Sequence, residues 1–537
     1  MHKKVKNTVL LLCTILCIAC ASLQTPEGGP RDLVAPEVLE ENPKNLSTNF
    51  EGNEVEITFD EYFKLNSEFT EVSISPAQEI PPVLKIKQKT LIITFKDSLE
   101  ANTTYTVNFG KAIQDVNESN TLKNYSYVFA TGDELDSLQI SGKVISSNDN
   151  KEVKDITVFI LPTSRDSIFG KKKPSIYTIT DSAGNFSLKN LREDSYKIYA
   201  LKETGADRIY NSPNEEIAFL KDSIYLDGDT SGIVLKLFKE IPERFRTVDQ
   251  KLESDGKIKL IFNKPITKPN ITFLDNPNIA DPIIEFTPKG DSVSVWLREI
   301  KFDSLKVVIN DDKTPLDTIT FRRSQKDEYT RTILFSNNLA SGKIVPQQPL
   351  TLTFNLPIAK IDESKISLYV DSLKLQGLSI KKIVPSERKY ELQYKWQTKK
   401  PYTLIVEEGA VTDIYGTTNE ELKLSFALDE VENYGNLSLK VNKTDSAKNY
   451  ILQLITENGG IYRQTAITQP STTINYNYIP TNKYRVKLIE DINNNAEFDT
   501  GNLRLKRQPE KVYIFDKEIV TRANWDREEV VDIPKDF

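Results

Sequence analysis

Apolar residues recur at every second position in short runs along the chain, and this alternation decides the fold class. Glu54-Val55-Glu56-Ile57-Thr58-Phe59 is one such run; Leu91-Ile92-Ile93-Thr94-Phe95, Tyr105-Thr106-Val107-Asn108-Phe109 and Tyr125-Ser126-Tyr127-Val128-Phe129 follow it. Period two places one side of an extended segment in a core and the other in water. The runs are broken by Asn, Asp, Gly and Pro, and helical periodicity is scarce, so the chain reads as all-β. At 537 residues it exceeds what one core supports, so β-sandwiches in tandem are expected.

Composition narrows the chemistry. The 3 cysteines are Cys13, Cys17 and Cys20, and the 1 histidine is His2. Beyond residue 20 the chain therefore cannot build a disulfide, a thiol nucleophile, a Ser-His-Asp triad or a His-ligated zinc site. No Walker-type phosphate loop occurs. A net charge of −7 argues against a nucleic-acid surface, so no nucleic-acid partner is expected. Paired carboxylates are uninformative among 77 acidic residues. No catalytic residue is assigned.

The N-terminus reads as a processing signal. Lys3, Lys4 and Lys6 precede an apolar run, Thr8 to Ala19, too short to span a bilayer, which ends in Cys17-Ile18-Ala19-Cys20. This resembles the lipobox of bacterial lipoproteins, with Cys17 where Leu is usual. The resemblance implies cleavage before Cys20, acylation of Cys20 and anchoring to the outer membrane, on its periplasmic face or at the cell surface. The Pro- and Gly-rich stretch 25–36 resembles the linker of Bacteroidetes lipoproteins that open with a bacterial Ig-like domain.

Internal repeats set the organisation. Leu99, Asn102, Thr103, Thr104, Tyr105, Ile113, Asp115, Asn117, Asn120, Phe129, Thr131 and Gly132 resemble the bacterial Ig-like pattern. Tyr402, Asp413 and Phe426 repeat its markers, and a more eroded copy around Ile258 to Phe262 lacks the Tyr and Asp. A second module, with Gly142-Lys143-Val144 and Thr180-Asp181-Ser182-Ala183-Gly184-Asn185-Phe186, resembles the carboxypeptidase-regulatory-like, or transthyretin-like, sandwich. Its Phe186, Leu188, Leu191, Tyr196, Ile198 and Ala200 recur without a gap as Ile474, Tyr476, Ile479, Tyr484, Val486 and Leu488. The expected order is signal peptide 1–19, linker 20–34, Ig-like 35–135, transthyretin-like 136–241, degenerate Ig-like 242–335, Ig-like 336–430 and transthyretin-like 431–537. Short connections between such modules lead us to expect an elongated rod.

Two local patterns suggest sites. Asp491, Asn493, Asn495, Glu497 and Asp499 place oxygen side chains at alternate positions, as in a Ca²⁺ loop, but without its turn Gly and twelfth-position Glu. The same residues suit a polar Asx turn. The second pattern is Asp-Ser/Thr before an apolar residue, which resembles the O-glycosylation site of Bacteroidetes exported proteins at Ser98, Ser137, Ser167, Ser223, Ser292, Ser304, Thr318, Ser372 and Ser446. Turn-to-strand punctuation wants the same residues. Trp296, Trp396 and Trp525 fit either a core or a ligand platform.

The leading functional expectation is a non-catalytic outer-membrane lipoprotein that serves as an interaction scaffold. Its expected partners are envelope proteins, the barrel-assembly or export machinery among them. A surface carbohydrate-binding or adhesive protein is the second reading, and a carboxylate-dependent hydrolase the third. An exposed aromatic row would favour the second. Two buried acids of raised pKa in one cleft would favour the third.

Overall fold

The computed structural model describes residues 32–537, except 77, 79, 206, 213, 275–278, 280, 324–327 and 536. The signal peptide, Cys20 and the linker up to residue 31 lie outside the described residues. Nearly all regular structure is strand, and the one α-helix among the described residues is a single turn, Glu68–Glu71. The chain is a tandem array of β-sandwiches, as its alternation requires.

In the first sandwich, one sheet runs in the order Val38–Asn42, Glu54–Phe59, Thr90–Thr94, Val83–Lys87. A second holds Ser73–Ser75, Thr104–Asn108 and Ser126–Ala130. Phe129 is fully buried between them, 4.4 Å from Phe50 and 5.4 Å from Tyr105, ring centre to ring centre. The third and fourth sandwiches repeat this four-stranded order with Thr247–Leu252, Ile258–Phe262, Ser292–Trp296, Ile283–Phe286 and with Phe335–Asn337, Leu350–Phe354, Lys389–Gln393, Ser379–Lys382.

The marker residues of this module have structural work. The Tyr105 hydroxyl accepts the N–H of Glu100, and that of Tyr402 accepts the N–H of Gln397, so each pins a loop to the core. Asp115 accepts N–H groups from Glu118, Ser119 and Asn120, and Asp413 does so from Tyr415 and Thr417. Each Asp thereby closes the turn after a short ladder, Phe63–Leu65 with Ile113–Asp115 in one case and Ile358–Ile361 with Val411–Asp413 in the other. The third sandwich has Leu305 opposite Phe321 where the others pair Tyr with Phe, and it shows no such ladder among the described residues.

The second and fifth sandwiches share a different topology. Leu138–Ser146 pairs antiparallel with Asn185–Leu191 and parallel with Thr230–Lys239. In the fifth, Tyr434–Asn442 pairs the same two ways with Ser471–Pro480 and Asp526–Asp532. The central strands Asp194–Lys202 and Lys483–Glu490 also match in their partners. All the residues of the shared register, from Phe186 to Ala200 and from Ile474 to Leu488, are buried. The two sandwiches thus share their strand pairing as well as these buried positions.

The array does not run out as a rod. The loop after the central strand of the fifth sandwich docks on the second. The Thr500 hydroxyl donates to the Lys239 carbonyl at 2.7 Å, the Leu503 N–H to Glu240 at 2.6 Å and the Gln508 amide to the Phe219 carbonyl at 2.8 Å. Asn150 donates to the Val512 carbonyl at 2.7 Å. Leu503 packs into the outer apolar face of the second sandwich, against the cluster of Phe159, Tyr199, Phe219 and Phe238. Elsewhere, Trp296 of the third sandwich is buried in the core of the fourth, under Arg388, which pairs with Glu285 at 2.6 Å. The second to fifth sandwiches therefore form a closed circuit. Short connections alone would allow a rod, but the apolar outer sheet face of the second sandwich needs a cover, and the fifth sandwich supplies it.

Gly501 makes the closure testable. A Cβ there would lie 2.4 Å from the Phe238 ring. Gly501→Val is expected to part the two sandwiches and raise the radius of gyration in small-angle X-ray scattering; an unchanged scattering curve would count against the closed circuit.

Candidate functional site

Strands Ile176–Ile179 and Asn185–Leu191 follow one another but do not pair. Their turn is made by Asp181, whose carboxylate accepts N–H groups from Ala183 and Asn185. Gly184 completes it at φ +75°, close under the Val144 carbonyl, where a side chain would not fit. Beyond the turn the strands separate. One pairs with Thr157–Pro162, the other with Leu138–Ser146. The first sandwich stands over the opening and leaves a cleft of about 1240 Å³.

A buried polar junction fixes the first sandwich there. The helix Glu68–Glu71 ends with carbonyls pointing at the second sandwich, and cations meet them. Lys173 donates to the carbonyls of Phe69, Thr70 and Val72 at 2.9, 3.1 and 2.6 Å. Arg208, whose side chain is 3% exposed, donates to the Thr70 and Glu71 carbonyls, pairs with the Glu71 carboxylate and lies over the Tyr177 ring. The Tyr177 hydroxyl donates to the Glu71 carbonyl. Burial, and then the charge of Arg208, push Lys173 down to about 8. Burial pushes the Tyr177 phenol up, so it stays neutral.

Amide side chains stand in for a missing strand along Ile176–Ile179. Asn108 donates to the Tyr177 carbonyl at 2.6 Å. Asn124 donates to the Ile179 carbonyl at 3.0 Å and accepts the Ile179 N–H at 3.1 Å, as a paired strand would. Asn185–Leu191 has no such cover. Among the described residues its only strand partner is Leu138–Ser146, and its other edge faces the cleft. Lys172, Lys189 and Arg165 also line the cleft, are exposed, and have no carboxylate within 4 Å among the described residues.

Among the cleft's titrating groups, Lys173, lowered to about 8, is engaged on three carbonyls. The cleft's phenols Tyr125, Tyr177 and Tyr196 are raised by burial, Tyr196 to about 12. The carboxyls with raised pKa are Glu61, Glu203 and Glu510, each lifted first by burial and each on a different sandwich, none in the cleft. Nor do the exposed aromatics form a row: Tyr62 and Phe69 lie on the first sandwich, Tyr225 on the second, Tyr462 and Trp525 on the fifth. Trp296 is buried and Trp396 half-buried in the fourth core.

The sequence-derived sites fall elsewhere. Asp491, Asn493, Asn495 and Asp499 do come together, but their oxygens are engaged by nitrogen donors. Asp491 accepts the N–H groups of Asn495 and Ala496. Asp499 accepts both Asn493 and Asn495 amides, while the Asn493 and Asn495 oxygens accept the backbone of Asn495 and Glu497. Glu497 contributes only that N–H. The buried Glu510 accepts the N–H groups of Ile492 and Asp499. The matching loop of the second sandwich is built alike. Buried Glu215 accepts the N–H groups of Asn211 and Ser212, and Glu203 accepts that of Arg208. Among the described residues no His, Cys, Asp and Glu group of three or more is arranged to hold a metal. Of the Asp-Ser/Thr positions, Ser98, Ser137, Ser167, Ser223, Ser304, Thr318, Ser372 and Ser446 are exposed and Ser292 is half-buried. Three of their Asp residues accept backbone N–H groups, Asp97 from Ile80 and Asp317 from Thr247 at long range and Asp445 from Ala447 within a turn.

The sequence offered no signal for the cleft or its junction. Arg208, Lys173, Asn108 and Asn124 are isolated polar residues whose partners are distant in the chain, and only the packing of two sandwiches gives them a role.

Comparison with known proteins agrees on the first sandwich: residues 32–131 match the bacterial Ig-like domain family. No curated protein matches the chain. Among solved structures, the Bacillus anthracis TIE protein is 11% identical, with 94% of this chain and 76% of that chain covered and a TM-score of 0.14. The surface layer protein SbsC is 12% identical, with 91% and 67% covered and a TM-score of 0.14. SGBP-B of the Bacteroides ovatus mixed-linkage glucan utilization locus, in complex with a mixed-linkage heptasaccharide, is 12% identical, with 62% and 86% covered and a TM-score of 0.18. Scores this low carry no argument about function.

The Asp491 loop separates two roles in one experiment. Losing two N–H acceptors at a largely buried carboxylate should cost about 1–3 kcal/mol, so Asp491→Ala is expected to lower the Tm with or without Ca²⁺. Millimolar Ca²⁺ should leave the wild-type Tm in place; a rise of several degrees, lost in Asp491→Ala, would instead establish a cation site.

Proposed function

We propose that the chain is a non-catalytic scaffold of the bacterial cell envelope that works by binding other proteins. The observation that carries this reading is the cleft between the first two sandwiches. It is large, its walls are fixed by a buried junction, and it contains a bare strand edge. A hydrolase would need paired acids tuned apart in one cleft, and the acids of raised pKa here are on separate sandwiches. A glycan-binding face would draw on exposed aromatic rings for stacking, and the exposed rings here are scattered.

In this reading Cys20 is acylated and tethers the array to the outer membrane, with its face left open. The barrel-assembly and export machines of that membrane are the proposed partner class. The exposed Asp-Ser/Thr positions are proposed O-glycosylation sites on the array's outer surface. Neither a metal nor an organic cofactor is required.

Two readouts test the proposal. Labelled palmitate should enter the wild-type chain in cells and not Cys20→Ser, because the acyl chains supply the membrane affinity; label in Cys20→Ser would remove the anchor. Crosslinking in intact cells should join the wild-type chain to the same few envelope proteins in repeated captures. If none is captured, or if one Asp or Glu substitution abolishes function in a folded protein, the scaffold reading fails.

A further inference from the structure

Resting on that reading, we propose that the cleft receives an extended, acidic segment of another protein, which pairs as an added strand along Asn185–Leu191. A strand with one partner leaves alternate N–H and C=O groups on its other edge unpaired. Here the backbone bonds to Leu138–Ser146, and at Asn185 also to Asp181, and among the described residues to no other segment. The bare edge runs along Ser187–Asn190, where alternate backbone groups face the cleft and the strand bulges between Leu188 and Leu191, with Asn190 at φ +56°. What satisfies such an edge is another polypeptide backbone, because its donors and acceptors recur at the same spacing. A sugar offers hydroxyls without that repeat.

The neighbouring edge shows what a filled site looks like in this fold. Asn108 and Asn124 reach across from the first sandwich and occupy the backbone groups of Tyr177 and Ile179. The first sandwich covers one side of the opening and leaves the other bare inside the same cleft. At about 3.3 Å per residue, a segment pairing along Asn185–Lys189, before the bulge at Asn190, would run about 17 Å.

Charge selects the segment. The chain carries a net −7, yet the cleft is lined by five cations, Arg165, Lys172, Lys173, Lys189 and Arg192, against three carboxylates, Glu100, Asp136 and Asp181, and Lys172, Lys189 and Arg165 have no carboxylate partner among the described residues. Lys189 sits on the bare strand itself. An acidic segment would be drawn in and oriented by them, and a basic one repelled.

Three fluorescein-labelled decapeptides test this against the full chain by anisotropy. One alternates Thr or Val with Glu, one has Lys for each Glu, and one is the Glu peptide with two prolines that remove pairing N–H groups. The Glu peptide is expected to bind at least tenfold more tightly than either control. It should slow hydrogen exchange at Ser187–Asn190, and its affinity should fall tenfold in Lys172→Glu/Lys189→Glu, whose circular dichroism should match wild type. Equal binding of the proline peptide would overturn strand pairing, and equal binding of the Lys peptide would overturn the charge argument. No binding by any peptide, or peptide-independent dimers that bury the strand, would overturn the proposal. If Lys172→Glu/Lys189→Glu still captures the envelope proteins found by crosslinking, the scaffold reading stands and the cleft is not its site.

Discussion

Four carbonyls at the end of a single helical turn hold the first two sandwiches of this protein together. The last carbonyls of any helix lack intrahelical partners, and those of Phe69, Thr70, Glu71 and Val72 are covered by another sandwich. Left bare, each would cost about 1–3 kcal/mol. Lys173, Arg208 and Tyr177 answer them all. Cations at a helix C-terminus are also favoured by the aligned peptide dipoles. The Glu71 carboxylate balances the buried Arg208 charge. Removing one member of such a pair typically costs about 3–5 kcal/mol, since the other is left buried and alone. The junction therefore does for the first two sandwiches what a disulfide could do in an exported protein with spare cysteines.

The corresponding loop contributes to a junction in each duplicated sandwich. In each duplicated sandwich the segment after the central strand is a polar turn held by a buried glutamate, Glu215 or Glu510. In the second sandwich it presents Arg208 to the first; in the fifth it presents Gly501 and Leu503 to the second. The oxygen-rich spacing around Asp491, which reads as a cation loop, is explained by this docking role: a loop that must keep its shape while projecting from a sheet needs its N–H groups satisfied locally.

Fold class was legible because period-two alternation is a direct image of sheet geometry. The repeats were legible because buried positions such as Tyr105 and Tyr402, or Phe186 and Ile474, must recur for one core to be built twice. The weakness of the third copy could also be read, since Leu305 cannot make the hydroxyl contact of Tyr105. Contacts between sandwiches were not legible. Asn124 is an ordinary loop residue in the sequence, and its pairing with Ile179 depends on the relative placement of two modules. The closed circuit was hidden for the same reason, because nothing near Gly501 names Phe238 as its neighbour.

An added strand can be held only if the cleft is a fixed structure rather than a gap between two tethered beads. The measurement that bears on it most directly is an electron–electron distance between spin labels at Lys44→Cys and Lys189→Cys, exposed on opposite sides of the opening, with Cys13, Cys17 and Cys20 replaced by Ser. The account predicts one narrow distance distribution in the otherwise unaltered chain, broadened when Arg208→Ala breaks the junction. A distribution already broad with Arg208 in place would contradict it.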